Sequence, residues 1–169
     1  QGKLLIAPPN MPDPRFRKSV VYIWRHDVSG AAGVMINKRC QQPDFRHICN
    51  EGIIHRLPKV NHPVYYGGPI LTNVVGVLHS TDFILTSTNT LTEDKVGFTL
   101  DRKMLEVIAK GQGPKNMLIT LGMANWTTGQ LEEEIEHPRS PAMSWLIMDY
   151  DEKFVFGQLD EDKPDDLWE

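Results

Sequence analysis

A chain of 169 residues, 40% of them hydrophobic and 24% charged, has the length and composition of one globular domain, which excludes a disordered tail or a coiled coil. No apolar run approaches the roughly 20 residues that cross a bilayer, and two cysteines are too few for a disulfide scaffold. We therefore expect a cytoplasmic protein without a membrane anchor. The net charge of −4, with nine acidic side chains against two lysines in residues 149–169, disfavours a nucleic-acid partner.

The first half of the chain predicts strands joined by tight turns, then a short helix. Apolar residues 4–7 form a strand that ends at two prolines, and residues 19–24 and 31–37 flank a turn sequence, as in an antiparallel hairpin. Pro43 begins a helix that ends near Gly52 and faces its apolar side inward. The inward residues are Phe45, Ile48 and Cys49, and further strands are predicted at 64–66, 74–79 and 83–85.

The second half predicts two helices around one central strand. Asp101 caps the first helix and Gly111 ends it, with Met104, Leu105 and Ile108 on its buried side. Residues 116–122 are nearly all apolar, which is typical of a strand covered on both faces. Thr127 and Gln130 form a capping box for a second helix, and later strands are predicted at 145–148 and 154–156. Many strands with few scattered helices indicate an α+β fold.

A pair of glycines, Gly67-Gly68, precedes Pro69 and follows a predicted strand. Their bare backbone amides could hold an anion, or the pair could form a tight bend that the sheet requires. No phosphate-binding glycine motif is present, so the bend is the favoured interpretation.

The six histidines and two cysteines do not match a metal site. His47 and Cys49 are two residues apart, which places them on opposite sides of a helix, so we expect no metal and no cofactor. A catalytic trio of serine, histidine and aspartate can be assembled around His26 or His79, but no nucleophile motif accompanies it.

Trp126 follows the central strand and directly precedes the second helix. Such a tryptophan either anchors the core through its bonded N–H or forms the wall of a ligand groove. Both interpretations place the indole where a strand ends beside a helix.

Several motifs in series resemble the AlgH/YqgE family of bacterial proteins. They are the segments 5–8, 11–23 and 30–38, then Gly67-Gly68-Pro69, Leu78-His79, and the run from Leu121 through Trp126 to Ile135. The family-like positions are Asp13, Phe16, Ser19, His26, Asn37, Gly67, Gly68, His79, Trp126, Gln130 and Glu134. The resemblance implies one α+β domain on a bifurcated, partly barrel-like mixed sheet with a few flanking helices. It also implies a link to transcriptional regulation, and it supplies no catalytic residue.

The resemblance divides the chain into an AlgH/YqgE-like domain at 3–156 and an acidic tail at 157–169. Family members tend to continue through a further helix after the strand predicted at 154–156. A sheet face left open there would be covered by the tail or by a second subunit, so a homodimer is a possible state.

The first functional hypothesis is a non-catalytic regulatory or interaction protein that binds a protein partner or a small ligand. Its candidate groove consists of Gly67, Gly68, His79, Trp126 and Gln130. The alternatives are a hydrolase that uses a histidine–carboxylate pair, with His26 or His79, and a regulator that binds DNA. The sequence favours the first hypothesis over an enzyme because aromatic residues and glycines recur at strand ends, whereas acid–base pairs do not.

Overall fold

The protein, seen in a computed structural model, is described at residues 1–53, 57–138 and 144–157. The proposed acidic tail lies outside this part of the chain, apart from Gly157. Within the described ranges, nine strands and four α-helices form one α+β domain. The strands are β1 (Lys3–Ile6), β2 (Val20–Asp27), β3 (Gly30–Met35), β4 (Val64–Tyr66), β5 (Ile70–Ser80), β6 (Asn89–Leu91), β7 (Val96–Thr99), β8 (Met117–Trp126) and β9 (Leu146–Asp149). The helices are α1 (Phe45–Ile48), α2 (Arg102–Ala109), α3 (Gln130–Glu136) and α4 (Glu152–Phe156), and a π-helical turn, Cys49–Ile53, follows α1.

The sheet runs in the order β6-β7-β5-β8-β3-β2-β1-β9, with β4 paired to β8 outside this path. Its two arms curl toward each other into a half-barrel. The curl brings the Tyr22 hydroxyl of β2 within 2.8 Å of Thr92 Oγ1, just after β6. The predicted bifurcated α+β sheet is therefore confirmed, and β8 lies at its centre as expected.

The sheet divides along β8. Parallel β4 pairs with β8 at residues 119–121, β3 pairs with it at 124–126, and β5 pairs along its other edge as far as Met123. The chain must cross β8 between β4 and β5, and Gly67-Gly68-Pro69 makes this crossing.

Glycine is required at the crossing because two backbones meet there. A Cβ on Gly67 would lie 2.3 Å from the carbonyl oxygen of Gly122, and one on Gly68 would lie 2.3 Å from the backbone of Met123. Both distances are shorter than any side chain tolerates. The pair is a bend that the sheet demands, as the favoured interpretation predicted.

Most predicted elements are present, and three need correction. Residues 83–85 are not a strand, and β6 and β7 lie further along the chain. Residues 154–156 belong to α4, because the Asp151 carboxylate accepts the Phe154 N–H and caps a helix. The capping box is only half formed. Gln130 accepts the Thr127 N–H at 3.0 Å, but α3 begins after Gly129, which has no side-chain cap.

The sheet has apolar residues on both faces, in three clusters. One fills the inside of the half-barrel around Tyr22, Leu78 and Phe98. A second lies under α1 and α2 and contains Phe45 and Ile108. The remaining cluster covers the other face of β1, β2, β3 and the end of β8, and the candidate site opens from it.

None of the helices in the described ranges is both long and apolar enough to span a membrane.

Candidate functional site

A groove of about 520 Å³ opens at the end of β8, within the size range of ligand-binding clefts. One wall is the loop between β1 and β2, which contributes residues 11–16. The facing wall is α3, and Pro69 and Ile70 close one end just after the crossing. The groove therefore combines parts of the chain that are more than one hundred residues apart.

Three aromatic rings form the innermost part of the groove. The ring centroids of Phe16, Trp126 and Trp145 lie 6.0–6.4 Å apart, and Trp145 meets both other rings edge to face. Both tryptophans are only 5% exposed, whereas Phe16 is half-buried. Trp126 is thus both a core anchor and part of a groove wall, so the two interpretations of this residue hold together.

The carboxylate of Glu134 holds this aromatic cluster in place. Its Oε2 accepts the indole N–H of Trp126 and that of Trp145, each at 3.0 Å. Its Oε1 accepts a side-chain N–H of Gln130 at 3.1 Å. Three neutral donors therefore satisfy a half-buried carboxylate, and both indole N–H groups have the acceptor that burial requires.

Asp13 and Arg15 form an ion pair on the facing wall. The guanidinium donates from Nη2 to Asp13 Oδ2 at 2.7 Å and from Nε to Oδ1 at 3.0 Å. These hydrogen bonds lower the pKa of the Asp13 carboxyl. The guanidinium carbon also lies 5.9 Å from the centroid of the Phe16 ring, within cation–π range.

One face of α3 lines the groove. Gln130, Glu133, Glu134 and His137 recur at the spacing of one helix face, while Leu131 is buried against β3. This face is acidic and points into the groove. The spacing is visible in the sequence and could have identified the wall.

The predicted site residues separate into two groups. Trp126 and Gln130 line the groove, and the crossing formed by Gly67 and Gly68 leads directly into its Pro69–Ile70 end. His79 does not belong to it. Its β8 neighbour is Met117, nine residues before Trp126, or roughly 25–30 Å along the strand.

His79 is fully buried and completely hydrogen-bonded. Its Nδ1 lies 2.8 Å from the Ser80 carbonyl oxygen, which can only accept, so Nδ1 carries the proton. Nε2 then accepts from the Thr99 hydroxyl at 2.8 Å, and Thr99 in turn accepts from Thr88 at 2.8 Å. Burial lowers the pKa of the imidazole and keeps it neutral. We call this series of hydrogen bonds the His79 network. It satisfies a buried imidazole and is structural.

His26 is the second histidine of the hydrolase hypothesis and, unlike His79, contacts a carboxylate. Its Nε2 is hydrogen-bonded to Glu132 Oε1, joining β2 to α3, and this bond is the main cause of a lowered pKa at Glu132. Neither residue lines the groove, and both side chains are partly exposed. The pair fastens α3 to the sheet.

The sequence missed several groove residues. Trp145 was predicted only as part of a strand, and Glu133, Ile70, Asp13 and Arg15 were not assigned to a groove. Within the described ranges, no cluster of three or more His, Cys, Asp or Glu side chains could hold a metal ion.

Two solved structures share this architecture. The solution structure of the AlgH protein from Pseudomonas aeruginosa superposes with a TM-score of 0.77 at 31% identity, covering 98% of this chain and 82% of that one. A crystal structure of a Corynebacterium diphtheriae protein superposes with a TM-score of 0.66 at 23% identity, covering 92% and 78%. The curled half-barrel is therefore that of an AlgH-type α+β protein.

A family model described as AlgH-like matches residues 4–169. The UPF0301 protein of a Bradyrhizobium species is 38% identical over 97% of this chain and 77% of its own length. A UPF0301 protein of Cereibacter sphaeroides is 37% identical, with 96% and 86% covered. The chain belongs to the AlgH-like family.

Proposed function

We propose that this protein is a non-catalytic regulatory protein of the cytoplasm that binds a protein partner or a small ligand in the groove beside Trp126. The observation that carries the proposal is the Glu134 carboxylate. It fixes Trp126 and Trp145 at the place where a buried apolar cluster meets the open groove. Aromatic side chains held rigidly beside an opening are typical of binding sites.

The charged groups of the groove favour binding over proton transfer. Glu134 is occupied by three N–H donors, and Asp13 by the guanidinium of Arg15, which lowers its pKa and stabilises the charged form. A general acid or base works best with a pKa near the operating pH, and a carboxylate bound in this way is poorly suited to exchange protons. Asp13 and Glu134 are thus suited to recognition rather than to proton transfer.

Site-specific photo-cross-linking in cells tests the proposal. A photoreactive phenylalanine analogue replaces Gln130, an exposed residue of the groove wall, and in a matched control it replaces Lys103, an exposed residue of α2. We expect a discrete adduct from position 130 that is absent from position 103. A partner protein, a bound small molecule or a second copy of this chain would each give an adduct of different mass. Equal adduct patterns from both positions would contradict the proposal.

A further inference from the structure

The far end of β8 has an open edge. β5 pairs with this edge only as far as Met123, whereas β3 pairs with the opposite edge at residues 124–126. Within the described ranges, no strand therefore pairs with residues 124–126 on the β5 side. Asn125 and Trp126 line the groove here, and Pro69 and Ile70 close its end.

An extended peptide fits this edge better than a compact ligand does. Residues 124–126 extend about 10 Å, and of the three only Asn125 is exposed, so an added strand can pair its backbone with this edge at Asn125 while its side chains enter alternate pockets. A peptide laid here would continue the line of β5 beyond Ile70. The half-buried Phe16 ring and the 40% exposed Ile70 side chain supply apolar contacts.

The charges along the groove select a basic peptide. Glu133 and Glu134 face it from α3, and no Lys, Arg or His of the described ranges forms an ion pair with either carboxylate. The cation on the facing wall, Arg15, is already neutralised by Asp13. Among the described residues, Glu133 and Glu134 therefore give the α3 wall, which also holds His137, negative charge without an ion-pair partner, above an apolar, aromatic floor.

We propose that the groove binds an extended segment of a partner protein in which a lysine or arginine is adjacent to an apolar or aromatic side chain. The apolar side chain lies against Phe16 and Ile70, and the cation lies along the Glu133 side of α3. This inference rests on the proposed function and names the class of partner for the same groove.

Selection from a random octapeptide library displayed on phage tests the inference. We expect the peptides retained by the intact protein to be enriched in Lys or Arg next to apolar or aromatic residues. The strongest peptide is then synthesised, together with copies that carry Gln for each basic residue or alternate N-methylated amides. Both changes should weaken binding, since they remove the cation and the backbone donors respectively.

Two α3 variants provide a matched pair for measuring the synthetic peptide. Glu133→Lys reverses a charge on the groove face, and Glu136→Lys makes the same change on an exposed residue of the same helix outside the groove lining. We expect Glu133→Lys to weaken binding about tenfold and Glu136→Lys no more than about twofold, because close charges act more strongly than screened, distant ones.

The other outcomes separate this inference from the proposed function. Peptides without basic enrichment whose binding is lost when Trp126 is replaced would overturn the inference and leave the groove as a binding site. Spermidine or arginine amide bound as tightly as the peptide would show a small-cation site and also overturn it. Equal effects of Glu133→Lys and Glu136→Lys on peptide binding would show that the peptide responds only to the net charge of the protein. That result would also overturn the inference. A position-130 adduct in cells would still support the proposed function in each case.

Discussion

The two ends of β8 handle their polar groups in opposite ways. At one end the His79 network pairs each of its polar side-chain atoms with a neighbour, and His79 and Thr99 are buried. At the other end Glu134 is satisfied by neutral donors, while Glu133 beside it faces an open groove. A polar group that is paired within the fold stabilises it, and one left facing an opening is available to a partner. The sequence analysis placed His79 and Trp126 in one site. In the structure His79 belongs to the hydrogen-bonded network at one end of β8, and Trp126 lines the groove at the other end.

The largest effect is expected from breaking the crossing that leads into the groove. Gly68 has a positive φ and would place a Cβ 2.3 Å from the Met123 backbone, so Gly68→Ala should cost at least about 3 kcal/mol of unfolding free energy. Urea unfolding measures this loss. Gly129→Ala is the matched control, because Gly129 also has a positive φ but has no atom within 4 Å, and it should cost about 1 kcal/mol. Equal losses would show that the crossing is not tightly packed.

Removing the His79 network should reduce the stability of the fold without altering the groove. His79→Leu leaves the Thr99 hydroxyl and the Ser80 carbonyl without their partner, and we expect a loss of about 2–3 kcal/mol. Binding of the selected basic peptide should be unchanged at temperatures where the variant is folded. Lost binding in a folded variant would contradict the separation of the two ends.

The same variant has a defined pH signature. The pKa of His79 is lower in the folded protein than in the unfolded chain, so the unfolded chain takes up the proton first as pH falls. This contribution to stability is complete above the ordinary histidine pKa of about 6.5 and is lost as pH falls below it. The stability difference between wild type and His79→Leu should therefore narrow on acidification. A difference that is constant with pH, measured by unfolding at several pH values, would contradict a neutral buried imidazole.

A smaller effect is expected from altering the contact between Glu134 and the aromatic cluster of the groove. Glu134→Gln keeps the shape of the side chain, and its amide oxygen can still accept both indole N–H groups, but its NH2 group then faces the NH2 donor of Gln130 and the negative charge is lost, which should cost about 1–2 kcal/mol. Tryptophan fluorescence should shift, because the negative charge beside both indole rings is lost. Glu133→Gln removes a neighbouring exposed charge and should leave both stability and emission nearly unchanged. Similar spectra for the two variants would mean that Glu134 does not hold the aromatic cluster.

The smallest effect concerns the His26–Glu132 hydrogen bond. His26→Gln should loosen α3 locally, because both side chains are partly exposed and contribute little to global stability. Hydrogen exchange should be faster in α3 amides and unchanged in β5 and β8. A fall in exchange protection across the whole sheet would assign the pair a larger role in the fold.

Local signals predicted much of the fold. Asp101 accepts the Lys103 N–H and caps α2 as expected, and the hairpin of β2 and β3 follows its turn sequence, because caps and turns depend on a few adjacent residues. The prediction of a strand at 154–156 was wrong because it overlooked a local signal of the same kind, the Asp151 side chain that caps α4.

The groove itself was less predictable, because its parts meet only through the curl of the sheet. Trp145 and Trp126 are nineteen positions apart and meet on one carboxylate, and Phe16 comes from a loop over one hundred residues away. Helical spacing from Gln130 to Glu134 and His137 was readable as one face, but its direction depends on the burial of Leu131 against β3. Long-range packing of this kind has no local signature in a single sequence.

Amide chemical-shift mapping with the selected basic peptide tests the groove most directly. We expect the resonances that move on titration to belong to Ile70, Asn125, Trp126 and the groove face of α3, while those of Thr88, Thr99 and His79 stay in place. Shifts concentrated around His79, or spread evenly over the acidic surface, would contradict this expectation.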